Sequence, residues 1–125
     1  MLLWWLQIHI GTNNNSRTEI RSMYAGGNAA DATTPDVLSC DVMRDFWLSW
    51  SESTVAIGSG RVVGENSLVR HTDSNERPVH ALTFRTDFEV NGTWEFPEYE
   101  GDTLHFKSRF ITDKIRFSSN TILCF

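Results

Sequence analysis

The sequence predicts an all-β protein: one domain, an antiparallel β-sandwich of jelly-roll-like kind. Three observations carry the prediction. Thr, Ser, Val, Ile, Phe and Trp are plentiful and helix formers scarce, a composition that suits pleated, half-buried surfaces. Short segments alternate apolar with polar residues, and Gly, Asn and Asp punctuate them. The chain has 125 residues, the length of a single domain that buries roughly two thirds of its unfolded surface without staples.

The elements follow in order. Residues 2 to 10 of the opening "MLLWWLQIHI" form a strand that "GTNNNS" ends, because Gly11 and the three Asn tolerate positive φ. In "RTEIRSMYA", residues 17 to 25, Thr18, Ile20 and Ser22 share one side and Arg17, Glu19 and Arg21 the other, which completes a hairpin. "GGNAADATTPD" is a loop. In "DFWLSW", Phe46, Leu48 and Trp50 point one way, Trp47 and Ser49 the other; "SES" then turns the chain into "TVAIGSG". "SLVRHTD" and "HALTFRTDF" flank the polar "SNERP". "GTWEF", with Trp94 and Phe96 on one face, precedes "TLHFKSRF", "KIRFSS" and "TILCF". About seven to nine strands with turn signals at these intervals make a sandwich or jelly roll. Phe46, Trp50, Trp94 and Phe96 are expected in its core.

Charge and composition exclude several classes. A net charge of -5 with only two lysines, Lys107 and Lys114, provides no basic surface for a phosphate backbone, so no nucleic-acid partner is expected. The apolar opening has no basic n-region and no small-residue cleavage site, and it reads as a buried strand; no membrane insertion is expected. Cys40 and Cys124 leave open whether they pair. Two acceptor sequons, Asn14-Asn15-Ser16 and Asn91-Gly92-Thr93, fall in expected loops, as in a secreted protein.

Four segments in order, "IGTNNNSRTEIR", "TPDVLSCDVMRDFWLSW", "STVAIGSGRVVGENSLVRHTD" and "GTWEF", together resemble the domain named after farnesoic acid O-methyltransferase. The likeness runs from about Gln7 to Phe96. It departs from the family pattern after the first strand, where Gly-Gly-Trp is usual and Gly11 is instead followed by Thr12 and Asn13. The family name implies methyl transfer from S-adenosylmethionine to a sesquiterpenoid acid. Similar domains also look like extracellular modules joined to unrelated recognition domains.

The residues do not declare a catalyst. "GSGRVVG", with Gly58, Gly60 and Gly64, is the one glycine-rich stretch that could serve a nucleoside cofactor; its spacing is off by one residue and no apolar-periodic helix follows, so it reads as a hairpin loop. No cofactor is therefore expected. There is no Gly-x-Ser-x-Gly elbow. Glu98, Glu100 and Asp102 in "PEYEGD" read as a solvated loop, not as a glycosidase pair. His9, His71, His80 and His105 lack metal-ligand spacing, and His9 and His105 read as structural.

What remains is recognition. Loop Asn, Asp, Arg and His provide planar hydrogen bonds of the kind a sugar or other small ligand uses. Two loops hold them: "TNNNSR", with Asn14, Asn15 and Arg17, and "HTDSNERP", with His71, Asp73, Asn75 and Arg77. Both lie at hairpin turns and are expected to converge at one end of the sandwich. Trp47, on the face opposite the core, adds an aromatic that could cover the second face of its strand, line a ligand patch or meet another subunit. The expectation is thus a secreted, non-catalytic module that binds a glycan or small molecule. The alternatives are the methyltransferase of the family name and a structural, oligomerising domain.

Overall fold

A computed structural model describes residues 6–22, 27–51, 53–72, 91–101 and 103–111. Eight strands run through them: β1 (Leu6–Gly11), β2 (Arg17–Ser22), β3 (Gly27–Thr33), β4 (Arg44–Ser51), β5 (Thr54–Ser59), β6 (Ser67–Thr72), β7 (Asn91–Glu100) and β8 (Thr103–Ile111). They form a three-stranded sheet, β1-β2-β3, and a five-stranded sheet, β6-β5-β4-β8-β7. Every described strand pair is antiparallel. The sheets meet where β2 and β3 lie against β6.

The core follows from the period-two pattern. Thr18 and Ile20 of β2 are fully buried and Arg21 is exposed, so the side expected to face inward does. From the larger sheet, Phe46, Leu48, Ile57, Val69, Leu104 and Phe106 join Ile20, Val37 and Leu38, with Trp50 and Trp94 packed against them. Phe106 is central. Its ring stacks on Phe46 at 5.3 Å and lies tilted beside Trp94 at 5.8 Å, an aromatic row across β4, β8 and β7.

Four expectations need correction. "GGNAADATTPD" is not all loop: residues 27 to 33 form β3, pairing with β2 from Arg17↔Thr33 to Ser22↔Gly27. Ala and Asn have weak strand propensity, but pairing with β2 outweighs it, and Ala29, Ala30 and Ala32 pack on the core as small residues. "PEYEGD" is not all loop either, since β7 runs to Glu100 and turns at Gly101, whose φ is 58°. Phe96 does not share the inward face of Trp94; it is 48% exposed. The register jumps between Glu95↔Lys107 and Glu98↔His105, so Phe96 and Pro97 stand opposite one residue of β8. Pro97 has no N–H for the ladder, and the bulge there turns Phe96 outward.

The fourth correction concerns Trp47. It is only 2% exposed, although its neighbours Phe46 and Leu48 take the inward face. The tryptophan lies on the outer side of the larger sheet, where its cross-strand partners are Gly58 and His105. The β5–β6 loop, residues 60 to 66, comes back to it, and the indole Nε1–H donates to the Glu65 carbonyl at 2.8 Å. Of the roles open to it, Trp47 covers the second face of its strand and does not present a ligand patch.

"TVAIGSGRVVG" and "SLVRHTD" make the expected hairpin, β5 to β6. Its loop turns through positive φ at Gly60, Gly64 and Asn66. Cys40 is disulfide-bonded; the other cysteine of the sequence, Cys124, lies outside the described residues. So do residues 1 to 5 of the opening segment, "HALTFRTDF", and the expected strands "KIRFSS" and "TILCF".

Candidate functional site

One end of the sandwich is open. The cleft there has a volume of about 610 Å³ and draws its walls from both sheets. Thr33 ends β3 and Thr34, Pro35, Asp36 and Val37 follow it; Met43 precedes β4, which Arg44, Asp45 and Phe46 start; Ser59 ends β5 and Gly60 follows it; Ser67 and Leu68 start β6. The arrangement is two-sided in chemistry: hydroxyls from Thr33, Ser59 and Ser67 and charges from Asp36 and Arg44 stand beside Pro35, Val37, Met43 and Leu68.

Local structure explains two of these positions. β6 pairs Val69 with Ile57 and Ser67 with Gly58, so Leu68 is the extra residue of a bulge that lies on the cleft. Asp36 takes a φ of 53°, a conformation Asp tolerates better than most residues, and its N–H donates to the Asn15 carbonyl at 2.9 Å.

The turn between β1 and β2 braces that wall. Asn13, Asn14 and Asn15 have φ of 51°, 59° and 62°, three successive left-handed residues in a single helical turn, Thr12–Asn15. Left-handed backbone disfavours L-residues by about 1–2 kcal/mol each, and Asn is among the few that adopt it routinely. Hydrogen bonds offset the strain: Ser16 N–H donates to the Thr12 carbonyl at 3.1 Å and Ser16 Oγ to the Asn13 carbonyl at 2.6 Å. Asn15 is buried. Its Nδ2 donates to the Leu38 carbonyl at 2.7 Å and its Oδ1 accepts the Leu38 N–H at 2.9 Å, as a neighbouring strand would.

The expected site residues therefore part company. Asn14 is exposed at the tip of the turn. Asn15 holds the backbone of residues 36 to 38 and is buried, so it does not face a ligand. Arg17 pairs in register with Thr33 at the cleft end and makes a half-exposed ion pair with Asp31 at 2.8 Å. His71 stands opposite Val55, near the other end of β6; it is four positions along the strand from Ser67, roughly 13 Å. Asp73, Asn75 and Arg77 lie outside the described residues. The described part of "HTDSNERP" thus does not converge with "TNNNSR". The cleft residues themselves escaped sequence reasoning because four separate segments contribute them. Two segments of the family likeness, residues 34 to 50 and 53 to 73, run through those walls, but nothing in the sequence marks them as one site.

A nucleoside cofactor fits the glycine-rich stretch poorly. The space a Cβ on Gly58 would occupy is taken by the Trp47 indole, so no ligand can press against that backbone from there. Gly60 and Gly64 serve a tight hairpin between antiparallel strands and do not open a helix. Among the described residues no group of three or more His, Cys, Asp or Glu is placed to hold a metal ion. Asp45 is shared at 3.7 Å by Arg61 and at 3.6 Å by Lys107, long contacts at partly exposed groups that contribute little. No helix of the described residues is long and apolar enough to cross a membrane.

Fold and cleft together define an antiparallel β-sandwich domain with an end-on groove between its sheets. The chain belongs to the farnesoic acid O-methyltransferase family, whose model, described as farnesoic acid O-methyl transferase, matches residues 5–100. No curated protein and no solved structure shows significant similarity to it.

Proposed function

We propose that this domain is an extracellular recognition module and that its end-on cleft takes a carbohydrate. The single observation carrying the reading is the composition of that cleft. A saccharide offers hydroxyls that bridge carboxylate, guanidinium and hydroxyl groups on one side, and C–H faces that pack on apolar side chains on the other; Asp36, Arg44 and the hydroxyls of Thr33, Ser59 and Ser67 meet the first need, and Pro35, Met43 and Leu68 the second. A volume of about 610 Å³ suits one or two sugar rings. The disulfide at Cys40 supports an oxidising, extracellular setting.

Methyl transfer is the competing reading, favoured by the family description alone. The two separate cleanly. Glycan-array screening followed by calorimetric titration is expected to find a saccharide that binds, with S-adenosylmethionine giving no heat. Binding of S-adenosylmethionine with no saccharide bound would reverse the assignment.

A further inference from the structure

We propose that Asn14 is an N-glycan acceptor site. The sequon Asn14-Asn15-Ser16 lies in the β1–β2 turn, and the structure distinguishes its two asparagines sharply. Asn15 is 8% exposed and its amide is spent on the Leu38 backbone. Asn14 is exposed, in the middle of the three left-handed residues. A glycan persists only where the folded chain leaves room for it. That condition is met at the sequon's first residue, while its middle residue turns inward. The hydroxyl residue, Ser16, is half-buried and anchors the turn through the Asn13 carbonyl at 2.6 Å, so a modified Asn14 sits on a rigid base.

An independent observation points to the compartment. Cys40 is disulfide-bonded, and such bonds persist in the oxidising secretory pathway, where N-linked transfer also takes place. The co-reactant is a lipid-pyrophosphate-linked oligosaccharide. Nδ2 of Asn14 forms a bond to the anomeric carbon, the anomeric C–O bond to pyrophosphate breaks, the lipid pyrophosphate leaves with the electron pair, and the amide proton passes to a base of the transferase. The second sequon differs in setting. Asn91 starts β7 and pairs with Ile111 in the ladder, so the proposal is confined to Asn14. Because the Asn15 carbonyl holds Asp36, a glycan on Asn14 would stand near the cleft wall.

The test is secretion of the chain from eukaryotic cells behind a leader, with peptide mapping before and after peptide N-glycosidase. The expected result is a glycan on Asn14, converted to Asp by the enzyme. Asn14→Asp and Asn14→Gly, both of which suit a left-handed φ, are expected to lose that glycan, whereas Ser16→Thr and Asn91→Asp keep it. A secreted wild-type chain without glycan, or with glycan on Asn91 alone, overturns the proposal. Because the wild type is mapped directly, the result does not depend on any variant folding.

Discussion

The indole of Trp47 lies flat across Gly58 on the neighbouring strand, so closely that a methyl group added to Gly58 would overlap the ring. This glycine is not there for positive φ. It is there because the only side chain that leaves room for a tryptophan on the outer sheet face is none at all. Packing of the ring on Gly58 and its hydrogen bond to Glu65 hold the 60–66 loop down over the sheet.

Gly58→Ala is therefore expected to destabilise the fold by about 1–3 kcal/mol, the usual range for overpacking. In a Trp47→Leu background most of that penalty should vanish, because the overlapping ring is gone. Urea unfolding of the double-mutant cycle measures the coupling, and strictly additive losses would contradict the contact.

Asn15 combines two demands, a left-handed backbone at φ 62° and a side chain bonded twice to Leu38. Asn15→Gly keeps the first and loses the second, leaving a buried N–H and carbonyl unpaired at about 1–3 kcal/mol each. Asn15→Ala is expected to be less stable still, by about 1 kcal/mol, since alanine resists left-handed φ. Thermal unfolding that ranks Ala above Gly would refute this account of the turn.

The hydroxyls of Thr18 and Thr34 meet at 2.8 Å in a buried setting. Thr18→Val alone orphans the Thr34 hydroxyl and should cost about 1–3 kcal/mol. The double change Thr18→Val with Thr34→Val removes both partners and should recover most of the loss. Denaturant midpoints of the three variants decide it.

Arg17 and Asp31 approach as closely, at 2.8 Å, yet each side chain is 37% exposed. Water and salt screen such a pair, so Asp31→Asn should shift stability by less than about 1 kcal/mol. A larger loss, or one that persists in high salt, would mean the pair is worth more than its exposure allows.

Arg44 is exposed on the cleft. For a saccharide found by screening, Arg44→Ala and Asp36→Asn are each expected to weaken binding about 10- to 100-fold, the loss of one charge-assisted hydrogen bond, with the melting temperature nearly unchanged. Calorimetric titration reads the affinity. Unaltered affinity in both variants would move the site elsewhere on the domain.

Much of this was legible in the chain. Alternation in "RTEIRS" and "DFWLSW" placed Thr18, Ile20, Phe46 and Leu48 inward, because strand geometry forces neighbours to opposite faces whatever lies beyond the strand. The Asn run marked a turn for the same local reason, steric tolerance of left-handed backbone. Class of fold, the turn at the Asn run and family likeness followed from interactions within a few residues or from ordered motifs. Tertiary structure decided the rest. Strand β3 exists because β2 offers it a partner, Phe96 turns outward because Pro97 breaks the ladder against β8, and Trp47 is buried because a loop 18 residues later returns to roof it. The cleft belongs to the same group: its walls come from segments far apart in sequence. Only the packing of one sheet on the other, a sum of long-range contacts that no local pattern encodes, brings them to one rim.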